Sequence, residues 1–173
     1  MNTSEEKNSR GAVETMNTLL YSPVVFVGIG KKDLDIITVG MFDLFSFRRP
    51  IISIGVTASG YGYKLAEEND DFSVDFLGIE LVDKVVCCGS KPESKVNKFE
   101  ACALTPVPGF RIKSPKIEEC IMNGECKKIE SFEKGDYIWF PGQIIHGDVT
   151  ADYDQNRALL RRDGIFWSIG NQV

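Results

Sequence analysis

Histidine is almost missing from this chain: His146 is the only one in 173 residues. That excludes a histidine-rich zinc centre and a two-histidine metalloprotease helix. Cysteine occurs five times, at 87, 88, 102, 120 and 126, but never as a CxxC pair. The odd count, without a secretory signal, points to reduced thiols that serve as small buried apolar residues. On a strand, adjacent Cys87 and Cys88 would face opposite sides. Cationic excess is lacking too. Twenty Lys and Arg stand against 25 Asp and Glu, a net charge of −5, which excludes a general nucleic-acid binder with a basic face. No apolar run approaches the roughly 20 residues needed to span a bilayer. No GxSxG elbow, Walker loop or GxGxxG fingerprint is present in its proper context. The first residues, "MNTSEEKNSRGAVE", are polar and mixed in charge with no apolar signal core, so a cytoplasmic protein is expected.

What remains is a composition suited to one globular domain, 43% hydrophobic and 26% charged. Residues 1–18 are expected to form a flexible tail and residues 19–173 the domain. Sixteen glycines and seven prolines favour many turns, hence strands over helices. "LLYSPVVFVGIG" reads as a strand opened by Pro23, and "IITVGMFDLF" as a second. "FRRP" is a connection and "IISIGV" a third strand. In that third strand Ile52, Ile54 and Val56 alternate with Ser53, Gly55 and Thr57, so one face is branched and the other small and polar. "YKLAEEND" predicts a short helix with Leu65 and Ala66 inward, and "DFSVDFL" another strand. "GIELVDKVVCCG" predicts helix in its first half, and "SKPESKVNKFEACAL" turns followed by a short amphipathic helix. Further strands are expected around 110–112, 117–128 and 137–149, with "FEKGD" as a hairpin break. "GIFWSIGN" is a closing strand or loop. Many short strands and few helices predict an antiparallel barrel, a mainly β fold.

Two features carry candidate chemistry. "TASGYGYK", residues 57–64, follows a strand and offers Thr57, Ser59, two glycines and Lys64 within eight residues. Such a loop can present hydroxyls and backbone N–H groups to a phosphate, or it is an ordinary glycine-rich turn. Thr38, Gly40, Ser53 and Gly55 form a face of small residues. They either accept a close-packed neighbour or leave space for a flat aromatic cofactor against the backbone. Arg48 and Arg49 are solvated loop charges or an anion contact.

In order along the chain, these segments resemble the flavin reductase-like family. "ITVGMFDLFSFRRPIISIGV" is similar to the family's Thr-Val-small-aromatic strand followed by "SFxPP" and a Val/Ile-rich strand. "DFSVDF" is similar to "geFvVN", with Asp75 where the family carries Asn. "SKVNKF" resembles "S..VDKF", "PKIEECIMNGEC" resembles "P.I.Ea...leC", and "GDYIWFPGQII" resembles "GDH.ifvGeVv". The resemblance implies an FMN-binding split β-barrel, homodimeric, with NAD(P)H as co-substrate. Carried over residue by residue, Thr38, Val39, Gly40 and Met41 line the isoalloxazine ring. Gly55, Val56 and the loop of Gly60, Tyr61 and Gly62 lie near the ribityl chain and phosphate. Asp75 falls on the strand near the cofactor, and Lys98 matches the family lysine. Ser53 and Thr57 belong to the small-residue face and loop beside them. The implied activity is hydride transfer from a nicotinamide to flavin N5, which needs no side-chain nucleophile or metal. Two alternatives stand beside it: a non-catalytic FMN-binding protein or a family member that has lost tight cofactor binding, and a thiol redox sensor using Cys87 and Cys88.

Overall fold

The computed structural model describes residues 11–12, 22–91, 96–162 and 164–169. The expected tail, residues 1–18, lies almost wholly outside them, as do Leu19 and Tyr21 of the first expected strand and Ser94 of the "SKVNKF" segment. Thirteen strands appear in chain order among the described residues: β1 (Ser22–Pro23), β2 (Val25–Ile29), β3 (Asp35–Val39), β4 (Met41–Ser46), β5 (Ile51–Thr57), β6 (Asp71–Phe76), β7 (Pro106–Pro108), β8 (Pro115–Ile117), β9 (Met122–Lys128), β10 (Phe132–Lys134), β11 (Tyr137–Val149), β12 (Leu159–Arg162) and β13 (Ile165–Ser168). Three α-helices interrupt them: α1 (Tyr61–Glu68), α2 (Val82–Ser90) and α3 (Lys98–Ala101).

The main sheet runs β3-β2-β6-β9-β11-β5-β4, with β10 added beside β11, and every pairing in it is antiparallel. Its two end strands, β3 and β4, are consecutive in the chain and joined at Gly40. The sheet therefore curls round until its ends meet at one residue, but they do not pair there. This is a barrel, mainly β with a few short helices, as the alternation and turn content predict, and it is split, as the family resemblance implies. The expected single strand "IITVGMFDLF" is two strands that belong to opposite ends of the sheet. Gly40 is the corner between them, a bend at which an added Cβ would meet no atom within 4 Å.

Period-two alternation divides the core into two. Val25, Val27, Ile29, Ile37, Val39, Ile52, Ile54, Val56, Phe72 and Phe140 fill the barrel, with Leu65 and Ala66 of α1 as a plug. On the outer face Phe26 and Ile36 pack beneath Leu81, Val85, Cys88, Phe99 and Leu104. Gly28 sits where a Cβ would collide with the carbonyl oxygen of Pro115, so β8 crosses β2 closely only because that residue is glycine. The C-terminus of α1 is closed by Asn69, whose N and Nδ2 both donate to Leu65 O. Lys128 Nζ also donates to Ala66 O and Glu67 O at 2.7 Å each. A cation there satisfies carbonyls that the helix leaves open.

One expectation is extended and two are corrected. "GIELVDKVVCCG" is a 3-10 turn (Ile79–Leu81) and then α2 from Val82, so it is helical in its first half as expected and the helix runs on through the second. Leu81, Val85 and Cys88 recur at helical spacing and face the outer core, which outweighs the β-branched pair at 85–86. The segment around 110–112 is a bend, and the strand before it is β7. Cysteines 87 and 102 are not reduced. They form a disulfide, because helical rotation carries Cys87 away from Cys88 and toward the end of α3. Cys88, Cys120 and Cys126 are free and buried, and burial pushes the Cys88 thiol up to about 11.

Candidate functional site

A cleft of about 510 Å³ opens where the barrel is split. Ile37, Thr38 and Val39 of β3 form one wall, and Gly55, Val56 and Thr57 of β5 the other. Gly40 and Met41 lie at the corner between them. Both walls are strand backbone, and β3, at the end of the sheet, can offer amide donors and carbonyl acceptors to the cleft.

One end of the cleft is closed by α1. Gly62 packs against Ile37, and a Cβ there would come 3.2 Å from Ile37 Cγ2. Glycine thus lets the helix start close to β3. Its N-cap, Gly60, contributes no side-chain hydrogen bond, so the first turn of α1 begins without a side-chain cap. Gly60, Gly62 and Tyr63 line this end, with Tyr137 opposite. The other end is fringed by Arg161 and Arg162 of β12. That strand is fixed by pairing of Ser22 with Arg161 and by the β12–β13 hairpin, which turns at Gly164 with φ of 79°. Ser22 Oγ donates to Gly40 O at 3.4 Å, holding the hairpin's neighbour against the corner.

Of the residues singled out in the sequence, Thr38, Val39, Gly40, Met41, Gly55, Val56, Thr57 and Gly62 meet on this cleft. Five others do not line it. Ser53 is buried on β5, and its Oγ has no hydrogen-bond partner. Tyr61 packs on the barrel core, and Lys64 is exposed on α1. Lys98 is 1% exposed. Its Nζ donates to Ile36 O at 2.6 Å and pairs with Asp35 at 3.4 Å, bracing β3 from behind. Asp75 has no exposed surface and is held inside the sheet. Asn123 Nδ2 donates to Asp75 Oδ1 at 2.7 Å, and Ser73 Oγ lies 2.6 Å from Oδ2. Burial pushes the Asp75 carboxyl up to about 7, although Ser73, Asn123, Lys116 and Gly28 work against it.

The arginines at 48 and 49 sit in the exposed β4–β5 turn, away from the cleft lining. The cations that do reach the cleft, Arg161 and Arg162, were missed. Their signal was "LLRRDGIFW", an Asp-Gly pair flanked by apolar residues, the pattern of a tight hairpin.

A second polar cluster lies at the far end of β11. Glu125 has no exposed surface and accepts from Phe110 N at 2.7 Å, Arg111 N at 2.6 Å and Lys116 Nζ at 3.3 Å. Burial works to raise its carboxyl, but these donors outweigh it and hold the group below the usual carboxylate range. Lys116 also bridges to Asp148, which His146 approaches at 3.4 Å. Glu125, His146 and Asp148 come within metal-ligating reach of one another. The ammonium of Lys116 already pairs with both carboxylates, and the cluster pins the bend that carries Phe110.

The fold and the cleft define a split-barrel protein whose open seam can seat a small ligand against strand backbone. The chain belongs to the flavin reductase-like family: residues 16–168 match the family described as "Flavin reductase like domain". It is 31% identical over 147 residues to an uncharacterized protein of Archaeoglobus fulgidus, a match covering 83% of each chain. Among solved structures it resembles the flavoredoxin of Methanosarcina acetivorans, with a TM-score of 0.83 and 26% identity over 97% of this chain and 94% of that one. It also shares the fold of the flavoredoxin of Desulfovibrio vulgaris (Miyazaki F), with a TM-score of 0.85, 22% identity, and 97% and 96% coverage.

Proposed function

We propose that the protein binds FMN in the seam cleft and acts as an NAD(P)H-dependent flavin reductase or flavoredoxin-like electron-transfer oxidoreductase. One observation carries this reading. The cleft is walled by the backbone of Thr38, Val39, Gly55 and Val56, and at its corner a side chain is missing at Gly40. A flat ring system fits such a wall, because it needs close backbone approach and hydrogen bonds along one edge.

The chemistry that FMN supplies when bound is acceptance of hydride from a nicotinamide and onward transfer of its electrons. The chain's own residues bind and orient. Thr38, Val39 and Val56 present the wall for the ring. The start of α1, whose N-cap Gly60 brings no side chain, faces the end where helix polarity would favour a phosphate. Arg161 and Arg162 supply positive charge at the opposite end. Tyr63 and Tyr137 bring aromatic rings to the lining of the same cleft.

Titration with FMN followed by absorbance and fluorescence tests this. Wild type is expected to bind and to turn yellow. Gly40→Leu should fold normally, since its Cβ enters open space, and should weaken FMN binding by at least about tenfold. A wild-type chain that leaves added FMN unbound would sink the reading. A second reading, a non-catalytic FMN binder, is favoured by Gly60 and Gly62, which bring no side-chain donor to the phosphate end. It predicts bound flavin that NAD(P)H cannot bleach without oxygen.

We also infer that two copies associate through the outer face of β4 and β11. Phe47 is 85% exposed, and Phe45 forms a ring cluster with Phe132 and Trp139 at 6.2 and 6.3 Å. This patch continues from Met41 at the cleft, and such an apolar aromatic face is the composition of a homodimer interface. Sedimentation should give twice the mass of one chain, and Phe45→Asp combined with Phe47→Asp should give one.

A further inference from the structure

Behind the wall of the cleft lies a separate recess of about 300 Å³, between α2 and the β12–β13 hairpin. It shares only Thr38 and Arg161 with the cleft. Its position follows from strand alternation. Ile37 and Val39 point into the barrel, so Thr38 points outward with Ile36, toward the face that α2 covers. The recess thus opens on the α2 side of β3, whereas α1 closes the cleft through Gly62 against Ile37.

The lining is divided by chemistry. Val85, Val86 and Phe166 make an apolar wall. Val86 is 55% exposed, an unusual place for a branched apolar side chain on a packed helix unless something lies against it. Gly89 stands on the same helix, and a Cβ added there would meet no atom within 4 Å. At the cleft side stand the Thr38 hydroxyl, buried without a partner, and the Arg161 guanidinium. Among the described residues no carboxylate pairs with Arg161. The volume is at the lower end of small-molecule sites, about 300–1,000 Å³. An apolar body with a single anionic end satisfies every part of this lining. Arg161 is the one cation on the recess among the described residues, and against a net charge of −5 it marks the recess for an anion.

We propose that the recess binds a small aromatic carboxylate, its ring between Val86 and Phe166 and its carboxylate on Arg161 and Thr38. What lies beside it in the cleft rests on the proposed FMN site, but binding in the recess does not. Calorimetry on the full chain, with and without FMN, uses benzoate as the probe and benzamide as its neutral counterpart. Benzoate should bind at millimolar concentration or tighter and at least about tenfold better than benzamide, because a charge-assisted pair is lost with the amide. Gly89→Leu fills the recess and should abolish benzoate binding while FMN binding is kept. Gly89→Ala, a milder change that favours the helix, should weaken it partly. Arg161→Gln should erase the preference for benzoate. The proposal is overturned if benzoate does not bind, if benzamide binds as well, if Gly89→Leu leaves benzoate binding intact, or if FMN displaces benzoate competitively. Loss of FMN binding with benzoate binding intact would instead remove the flavin reading alone.

Discussion

Replacing Asp75 with Asn is expected to stabilise the protein above pH 7 and to remove most of its stability change between pH 4 and 7. The reason lies in the hydrogen count around Ser73. Its hydroxyl accepts from Gly28 N at 3.1 Å and has one proton to give, but two acceptors compete for it, Asp75 Oδ2 at 2.6 Å and Pro115 O at 2.8 Å. A charged Asp75 takes that proton and leaves Pro115 O without it. A protonated Asp75 donates to Ser73 itself, and Ser73 can then donate to Pro115. Burial favours the same neutral form, which is why the carboxyl is raised to about 7. The folded carboxyl therefore holds its proton more tightly than the unfolded one. The stabilisation this brings is complete below the ordinary carboxyl value of 3.8, falls as pH rises toward 7, and is gone above it. The difference is on the order of 4 kcal/mol. An amide at this position donates to Ser73 at any pH. Urea unfolding of wild type and Asp75→Asn at pH 5 and pH 8 checks this. Parallel pH profiles for the two proteins would show that Asp75 is not the titrating group.

Reduction of the Cys87–Cys102 disulfide should lower stability by about 3 kcal/mol, the value for a cross-link closing 15 residues. The bond ties α2 to the residue that caps α3, and α3 carries Lys98, whose ammonium braces Ile36 and Asp35 on β3. Cutting the cross-link therefore frees the support of one cleft wall as well as the chain. The double variant Cys87→Ala with Cys102→Ala should unfold at lower urea in the absence of reductant, by the same amount as dithiothreitol-treated wild type. Dithiothreitol should leave the variant unchanged. An equal midpoint for oxidised wild type and the variant would refute the cross-link's contribution.

Much of the barrel was legible. Ile52, Ile54 and Val56 alternate with small residues because one face of β5 fills the barrel, and that period is written directly in the chain. The helix over "YKLAEE" and the strand over 137–149 were legible for the same kind of reason. The bend at Gly40 was not. A glycine inside an apolar run is compatible with a continuous strand, and only the assignment of β3 and β4 to opposite ends of the sheet makes it a corner. The cysteine pairing was hidden because it depends on the helical phase of α2 and on where α3 docks. For the cleft, the local stretches around 38–41 and 55–57 could be found, since each lies within one segment. Arg161 and Arg162 could not be placed beside them, because β12 reaches the site only through its pairing with β1, some 140 residues away in the chain. Asp75 and Lys98 were tied to the cleft by their place in a motif. In the structure Lys98 spends its charge on Asp35, and Asp75 is buried in hydrogen bonds inside the sheet.

The corner at Gly40 has a consequence for the life of the chain before any ligand reaches it. β3 and β4 are joined by a covalent link where a closed barrel would join them by hydrogen bonds, so among the described residues each keeps a row of backbone groups with no strand alongside. Such a row is a template on which another extended chain can add. Here the template and the cleft are the same place, since Ile37, Thr38 and Val39 belong to both. An occupied cleft is then also a guarded edge.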